Sequence, residues 1–250
     1  MFKTLKQIVK DFLLPVIDRN GWVRRQHRDA KNINKLMAAN LKADSNCIDI
    51  GCHKGDFLKL FEKFAPGGKF FAFEPLPPLY DYLKKNFPRA ILYDYALGDF
   101  EGKSKFNYVV NDPAWSGFKT QSYANHEVEI KEIEVPVKML DNVIPANIPI
   151  DFIKIDVEGA EYSVLSGAKS LIKNKKPVIL FEFAKIHTVN YGVTPEKFYD
   201  LFVKELGMSL FSLDLSGPLS LAQFSDKFEF SFSSNYDRDA ETNFIAMYKS

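Results

Sequence analysis

The side chains able to do chemistry gather in five short groups, each at the end of an apolar run. They are Asp49-Ile50-Gly51-Cys52-His53-Lys54-Gly55, then Glu74, then Asp94-Tyr95-Ala96-Leu97, then Asp156-Val157-Glu158, and finally Glu182. In an open α/β sheet a ligand sits beyond the carboxyl ends of the strands, which is where these groups fall. Carboxylates so placed are costly unless a cation, a polyhydroxylated ligand or a metal accounts for them. The first group reads as strand, tight turn and helix. A pyrophosphate-binding turn needs glycine at the third position, where the backbone approaches the phosphates, and His53 stands there instead. The pattern Asp-x-Gly-x-x-x-Gly suits a ligand with an ammonium group and no phosphate.

S-adenosylmethionine has that chemistry. Its amino and carboxylate ends can meet Asp49 and the N–H groups of the Gly51–Gly55 turn, Glu74 can accept both ribose hydroxyls, and Ala96 and Leu97 can cover the adenine. Methyl transfer is an in-line displacement, so alignment supplies much of the rate, and an alcohol acceptor needs a base or a metal to lose its proton. Asp156, Glu182 and His187 are the candidates for the base, and the oxygens of Asp156 and Glu182 could instead hold Mg²⁺. Glu158 and Glu161 also suit first-turn helix positions, where they favour the dipole, and His187 also reads as an ordinary loop histidine.

The elements that must position these groups alternate strand and helix. Strands are expected at Asn46–Ile50, Lys69–Phe73, Ala90–Tyr93, Asp151–Asp156, Val178–Phe183, Met208–Leu213 and Asn243–Tyr248. Helices are expected after Gly55, from Pro77 to Phe87, from Gly159 to Lys173, and from Pro195 to Leu206 behind a Thr194 cap. Between Phe106 and Val137 the pattern alternates with period two, predicting an antiparallel pair around an irregular loop, Asn111–His126, whose Trp115, Tyr123 and His126 point to function. The Leu215–Glu241 excursion carries no element in this reading. The fold expected is α/β: an open, mostly parallel, Rossmann-like seven-stranded sheet with helices on both faces, N-terminal helices and an antiparallel insertion. Residues 1–45 form a helical extension on the lid or substrate side, with one helix near Asn32–Leu41, and residues 46–250 the main domain.

Across 250 residues the net charge is +1, too balanced for nucleic-acid affinity to be expected, and no basic, aromatic-interleaved stripe appears. The 23 phenylalanines suit a core. The two cysteines, Cys47 and Cys52, fall in a strand and its turn, which argues against a disulfide framework and for a reducing, cytoplasmic setting. Charges at Lys3, Lys6, Lys10 and Asp11 interrupt the apolar N-terminal positions, so neither a signal nor a membrane span is expected. The amphipathic spacing from Phe2 to Val16 suits a packed helix, or else peripheral contact with the inner membrane surface. The basic run Trp22–Arg28 reads as a solvated face.

Several motifs together resemble the FkbM family of methyltransferases: Asp49-Ile50-Gly51-x-x-x-Gly55, Phe73-Glu74-Pro75, Leu140-Asp141, Ile153-Lys154-Ile155-Asp156-Val157-Glu158-Gly159-Ala160-Glu161, Gly167-Ala168 and Phe181-Glu182. The likeness runs in register from Cys47 to Phe183. It implies a class I S-adenosylmethionine-dependent enzyme acting on oxygen, often on sugar or polyketide hydroxyls. It further implies that Asp49, Gly51, Gly55 and Glu74 hold the cofactor and that Asp156 and Glu158 lie at the methyl-transfer centre. The expected acceptor is a small molecule, glycan or glycolipid. A nicotinamide-dependent oxidoreductase and a non-catalytic binding module on the same fold are the alternatives.

Overall fold

The computed structural model describes residues 22–121, 127–230 and 241–248. The amphipathic stretch Phe2–Val16 with its membrane contact, and Tyr123 and His126, lie outside the described residues. From the N-terminus, α1 (Trp22–Asn40) precedes β1 (Cys47–Ile50), α2 (Asp56–Phe64), β2 (Phe70–Phe73), α3 (Pro77–Asn86) and β3 (Ile91–Tyr93). The middle holds β4 (Ala96–Leu97), β5 (Gly102–Val109), β6 (Ile130–Lys138) and the short α4 (Leu140–Val143). Then follow β7 (Phe152–Ile155), α5 (Glu161–Ser166), α6 (Lys169–Lys175), β8 (Val178–Glu182), α7 (Lys185–Thr188) and α8 (Pro195–Asp200). The last elements are β9 (Ser209–Ser212), α9 (Leu221–Phe230) and β10 (Asn243–Met247).

Seven strands form one sheet in the order β3-β2-β1-β7-β8-β10-β9. All pairs among β3, β2, β1, β7 and β8 are parallel, whereas β10 runs antiparallel to both neighbours. The strand order turns back beside β1, and a crevice opens there at the strand ends. Strand alternation sends side chains to two cores. Ile48, Ile50, Phe71, Phe73, Ile153 and Ile155 join Val164, Leu171, Phe198 and Phe224 on one face. Cys47, Phe70, Ala72 and Phe152 join Leu36, Met37, Leu58, Phe61 and Leu83 on the other. Helices therefore cover both faces, as near-continuous apolar strands require. The abundant phenylalanine is mostly core: Phe183 meets Phe198 at 4.2 Å and Phe224 at 5.2 Å between ring centroids, and Phe181 meets Phe202 at 4.7 Å. Both cysteines are free and buried. No helix of the described residues is long and apolar enough to cross a membrane.

The expected insertion is there: β5 and β6 pair antiparallel over eight residues, and the two-residue β4, too short to show a period in the sequence, adds a parallel third strand. Three other elements depart from expectation. Where one helix was expected over 159–173, two form, separated at Gly167. A Cβ on Gly167 would lie 1.9 Å from the Gly98 carbonyl oxygen. Asp141 then caps α6, its carboxylate accepting from the N–H groups of Ser170 at 3.0 Å and Leu171 at 2.7 Å. The helix expected near Asn32 starts at Trp22, because its basic first half presents no apolar period to read. Finally, α9 occupies the excursion after Leu215. Ser220 and Gln223 form a capping box ahead of it, the Ser220 N–H meeting Gln223 Oε1 at 2.8 Å and the Gln223 N–H meeting Ser220 Oγ at 3.3 Å. Its Phe224 and Phe228, one turn apart, are buried.

Candidate active site

The turn after β1 is made by backbone conformation. Gly51 and Gly55 lie at φ +72° and +76°, and a Cβ on Gly51 would stand 1.9 Å from the Asp156 carbonyl oxygen. His53 is also left-handed, at φ 46°, so the third position reaches a glycine-like conformation with a side chain attached. The turn is tied to both neighbouring strands: the Gly51 N–H donates to Phe73 O at 3.1 Å and the Asp156 N–H to Ile50 O at 3.1 Å. Glu74 closes it from β2. Its two carboxylate oxygens accept from the N–H groups of His53 at 2.9 Å and Leu76 at 3.1 Å. Burial pushes the Glu74 carboxyl up to about 7, against the pull of those two donors.

Asp49 is fully buried beneath this turn and does not line the cleft. Its register partner across β1 and β7 is Lys154, whose Nζ lies 3.2 Å from Asp49 Oδ1. The alignment is not that of a hydrogen bond, and both Asp49 oxygens lack one. Burial raises the Asp49 carboxyl and Lys154 opposes it. For Lys154 burial acts the other way, yet Asp49 and Asp156 outweigh it and keep the ammonium charged. Lys154 Nζ also donates to Gly51 O at 2.6 Å, so the pair fastens the turn from below. Where the sequence reading had Asp49 meet an ammonium on the ligand, the ammonium it meets is that of Lys154.

The second half of the site follows β7. Glu158 is left-handed at φ 56°, and Gly159, at φ +104°, passes so close to α7 that a Cβ would lie 2.3 Å from His187 O. Glu161, 1% exposed, folds its Oε1 back onto the N–H groups of Val157 at 2.9 Å and Gly159 at 3.2 Å, which holds this turn in shape. Burial pushes its carboxyl up to about 7. Glu158 then meets His187, whose Nδ1 lies 2.8 Å from Glu158 Oε2, while His187 Nε2 faces Glu182 Oε2 at 3.8 Å. Burial alone would lower the imidazole, but Glu182 and Glu158 together overcome it and push it up to about 10. Burial also holds the Glu182 carboxyl well above the carboxylate range, against the pull of His187. Gln121 completes the group, its Nε2 donating to Glu158 Oε2 at 3.0 Å.

Between the two halves lies a cleft of about 770 Å³, part of it open solvent. Gly51, His53 and Glu74 line one end, Asp156 and Glu158 another, with Leu76, Leu79, Tyr95, Ala96, Leu97 and Phe106 forming apolar wall. The sequence candidates Gly51, Glu74, Ala96, Leu97, Asp156 and Glu158 are thus brought to one surface, as are Pro113, Ala114 and Ser116 of the irregular loop. Gly55 shapes the turn against Phe87 from outside the wall, and Glu182 and His187 stand behind Glu158. Among the described residues, the metal-type donors gathered within 4.8 Å of one another are those of Glu158, Glu182 and His187. Asp156, paired with Glu182 in the sequence reading, instead lies 3.8 Å from Lys154 Nζ. Lys154 and Gln121 were not singled out from sequence. Lys154 had a signal, since period-two alternation in adjacent strands puts it on the face of Asp49; Gln121 had none.

A family model for the methyltransferase FkbM domain matches residues 49–209, well over half of the chain. The chain belongs to this family. Its site therefore sits on an FkbM methyltransferase domain, and the span matched runs from Asp49 in β1 to the first residue of β9. The 2-O-methyltransferase NoeI of Sinorhizobium fredii (strain NBRC 101917 / NGR234) is 28% identical over 166 residues, 60% of this chain and 68% of NoeI. Among solved structures, the FkbM methyltransferase of Methylobacillus flagellatus KT superposes with a TM-score of 0.51 at 17% identity. That match takes in 82% of this chain but only 44% of the other, so this chain spans less than half of that relative. At that identity the likeness is one of fold.

Proposed function

We propose that this FkbM-family methyltransferase uses S-adenosylmethionine to methylate a hydroxyl on a glycan or another hydroxylated metabolite. The observation that carries this reading is one continuous cleft with a buried glutamate at the glycine turn and two acids, Asp156 and Glu158, on its wall. The residues fit such a cofactor. Each Glu74 oxygen is engaged once by backbone N–H, and an ionised carboxylate has about four acceptor positions, so hydroxyl donors of a ribose can be met. Ala96, Leu97 and Leu79 offer apolar cover for a base, whereas the N–H groups of Gly51, Cys52, His53 and Gly55 are already engaged within the protein. Glu74, Asp156 and Glu158 line the cleft and, among the described residues, no lysine or arginine does, which suits a positively charged ligand. The likeness to a 2-O-methyltransferase favours oxygen as acceptor atom.

When bound, the cofactor supplies an electrophilic methyl on a sulfonium centre. The protein's share is to align the acceptor and remove its proton. Glu158, on the wall, is the group placed to take that proton. His187 at 2.8 Å and Glu182 beyond it set the charge behind Glu158 without touching the cleft. The irregular loop supplies Pro113, Ala114, Ser116 and Phe118 to the wall and so faces the acceptor.

Calorimetric titration with S-adenosylhomocysteine, run beside NAD and repeated on Glu74→Ala, tests the reading. The expected result is binding of the first ligand alone, weakened about tenfold or more in the variant through loss of charge-assisted hydrogen bonds. Binding of NAD instead would overturn this reading and revive the oxidoreductase alternative, and silence for both would overturn it in favour of a binding module on a retained scaffold.

A further inference from the structure

The substrate-facing loop meets the acid cluster through Gln121. Gln121 is 7% exposed and makes three contacts there. Its Nε2 donates to Glu158 O at 3.1 Å and to Glu158 Oε2 at 3.0 Å, and its Oε1 lies 2.6 Å from His187 Nδ1. The two residues before it are docked as well. The Lys119 N–H donates to Tyr191 Oη at 3.2 Å, and Asn190 Nδ2 donates to Thr120 O at 2.7 Å. Gln121 thus joins the segment that carries Pro113, Ala114, Ser116 and Phe118 to both members of the Glu158–His187 pair.

The chemistry of these atoms fixes where protons sit. A carbonyl and a carboxylate oxygen only accept, so the amide edge facing Glu158 must be NH₂. That orientation turns the amide oxygen toward His187 Nδ1, which already faces the Glu158 carboxylate. With two acceptors against it, Nδ1 must be the nitrogen that bears hydrogen.

From this geometry we infer that Gln121 is a positioning residue: it holds the His187 ring by its Nδ1–H, holds Glu158 against it, and links both to docking of the acceptor loop. The inference deepens the methyltransferase reading and rests on it for its catalytic meaning. Its structural content stands without a bound cofactor. The acceptor loop cannot leave the site without releasing the Glu158 carboxylate and the Nδ1 proton together.

The test is nitrogen NMR of imidazole-labelled protein near neutral pH, on wild type, Gln121→Leu and Gln121→Glu, with His187→Gln to assign the signal. Wild type is expected to show the His187 Nδ1–H as a hydrogen-bonded proton protected from exchange with water. Gln121→Leu removes one of its two acceptors and should speed that exchange about tenfold or more, the worth of a hydrogen bond to a charged group. Gln121→Glu keeps an acceptor oxygen for His187 and should retain the protected Nδ1–H while repelling Glu158. A purely structural role would lower the melting temperature of both variants and leave the exchange rate alone, which overturns the inference. So would a wild-type His187 without hydrogen on Nδ1. Titration with S-adenosylhomocysteine separates the two claims. Binding retained in Gln121→Leu is expected because Gln121 does not line the cleft, whereas no binding in wild type removes the methyltransferase reading and leaves the Nδ1–H result standing.

Discussion

The two ends of the cleft are held by different means. At the glycine turn the fixing contacts are backbone: Gly51 to Phe73, Asp156 to Ile50, and the N–H groups of His53 and Leu76 to Glu74, with the Asp49–Lys154 pair underneath. At the acid end the contacts run between side chains from four separate segments, Gln121, Glu158, Glu182 and His187. A site made from backbone resists substitution of the side chains that only line it, but not of its turn or of the buried pair that fastens it, and its shape is set once the strands pair. A side-chain-made site is adjustable, and each member depends on the others. The contrast matches the division of labour in the proposed function, in which a constant cofactor faces the first end and a particular acceptor the second.

The largest effect should come from breaking the fastening of the first end. Lys154→Met leaves Asp49 buried without a cation and should cost about 3–5 kcal/mol in urea unfolding. Adding Asp49→Leu should recover much of that loss, since an apolar pair of similar volume tolerates the site. If the single variant were as stable as wild type, the turn would not depend on this pair.

A smaller effect separates the two ends by pH. Glu74 has its carboxyl raised to about 7, and hydroxyl donors favour the ionised form, so a ligand that uses it binds fully above that value and must expel a proton below it. Affinity for S-adenosylhomocysteine should therefore fall about tenfold between pH 8 and pH 6, and Glu74→Gln should flatten the profile. The sign for stability is opposite. Glu74 and Glu161 bind protons more tightly folded than unfolded, so without ligand both erode stability as pH rises from about 4.5 to about 7. A pH-independent affinity in wild type would remove Glu74 from the ligand's contacts.

The smallest effect concerns the frame shared by both ends. Asp141→Ala removes two hydrogen bonds from the first turn of α6 and should cost about 1 kcal/mol, typical of a lost cap, with ligand affinity unchanged. Unfolding and calorimetry on the same sample read both.

The same contrast decides how much the sequence could reveal. The glycine turn, Glu74 and the sheet around them are legible because each lies within one strand–turn–helix unit, where period, glycine and a terminal acid stand next to each other. Asp156 and Glu158 are legible for the same reason. His187 could be suspected but not placed, because only α7 and the close pass of Gly159 bring it to Glu158. Gln121 comes from a loop 37 residues from Glu158 and 66 from His187, and no local pattern marks it. The break between α5 and α6 was hidden for a related reason, since a distant carbonyl, that of Gly98, sets it. By contrast α9 was readable: Ser220-Leu221-Ala222-Gln223 is a capping box with Phe224 and Phe228 one turn apart behind it.

The strand order bears on the timetable of synthesis. In the sheet β9 has β10 as its neighbour, and β10 also closes the outer edge of β8. A ribosome delivers β9 some thirty residues before the strand that must hold it, so β9 waits without a partner and β8 keeps an open edge until Asn243–Met247 emerges. Within the part of the sheet that carries the cleft, from β3 through β8, every strand after β1 finds a neighbour already made when it emerges, although β1 keeps its second edge open until β7 at Phe152–Ile155. The site is assembled before the far flank.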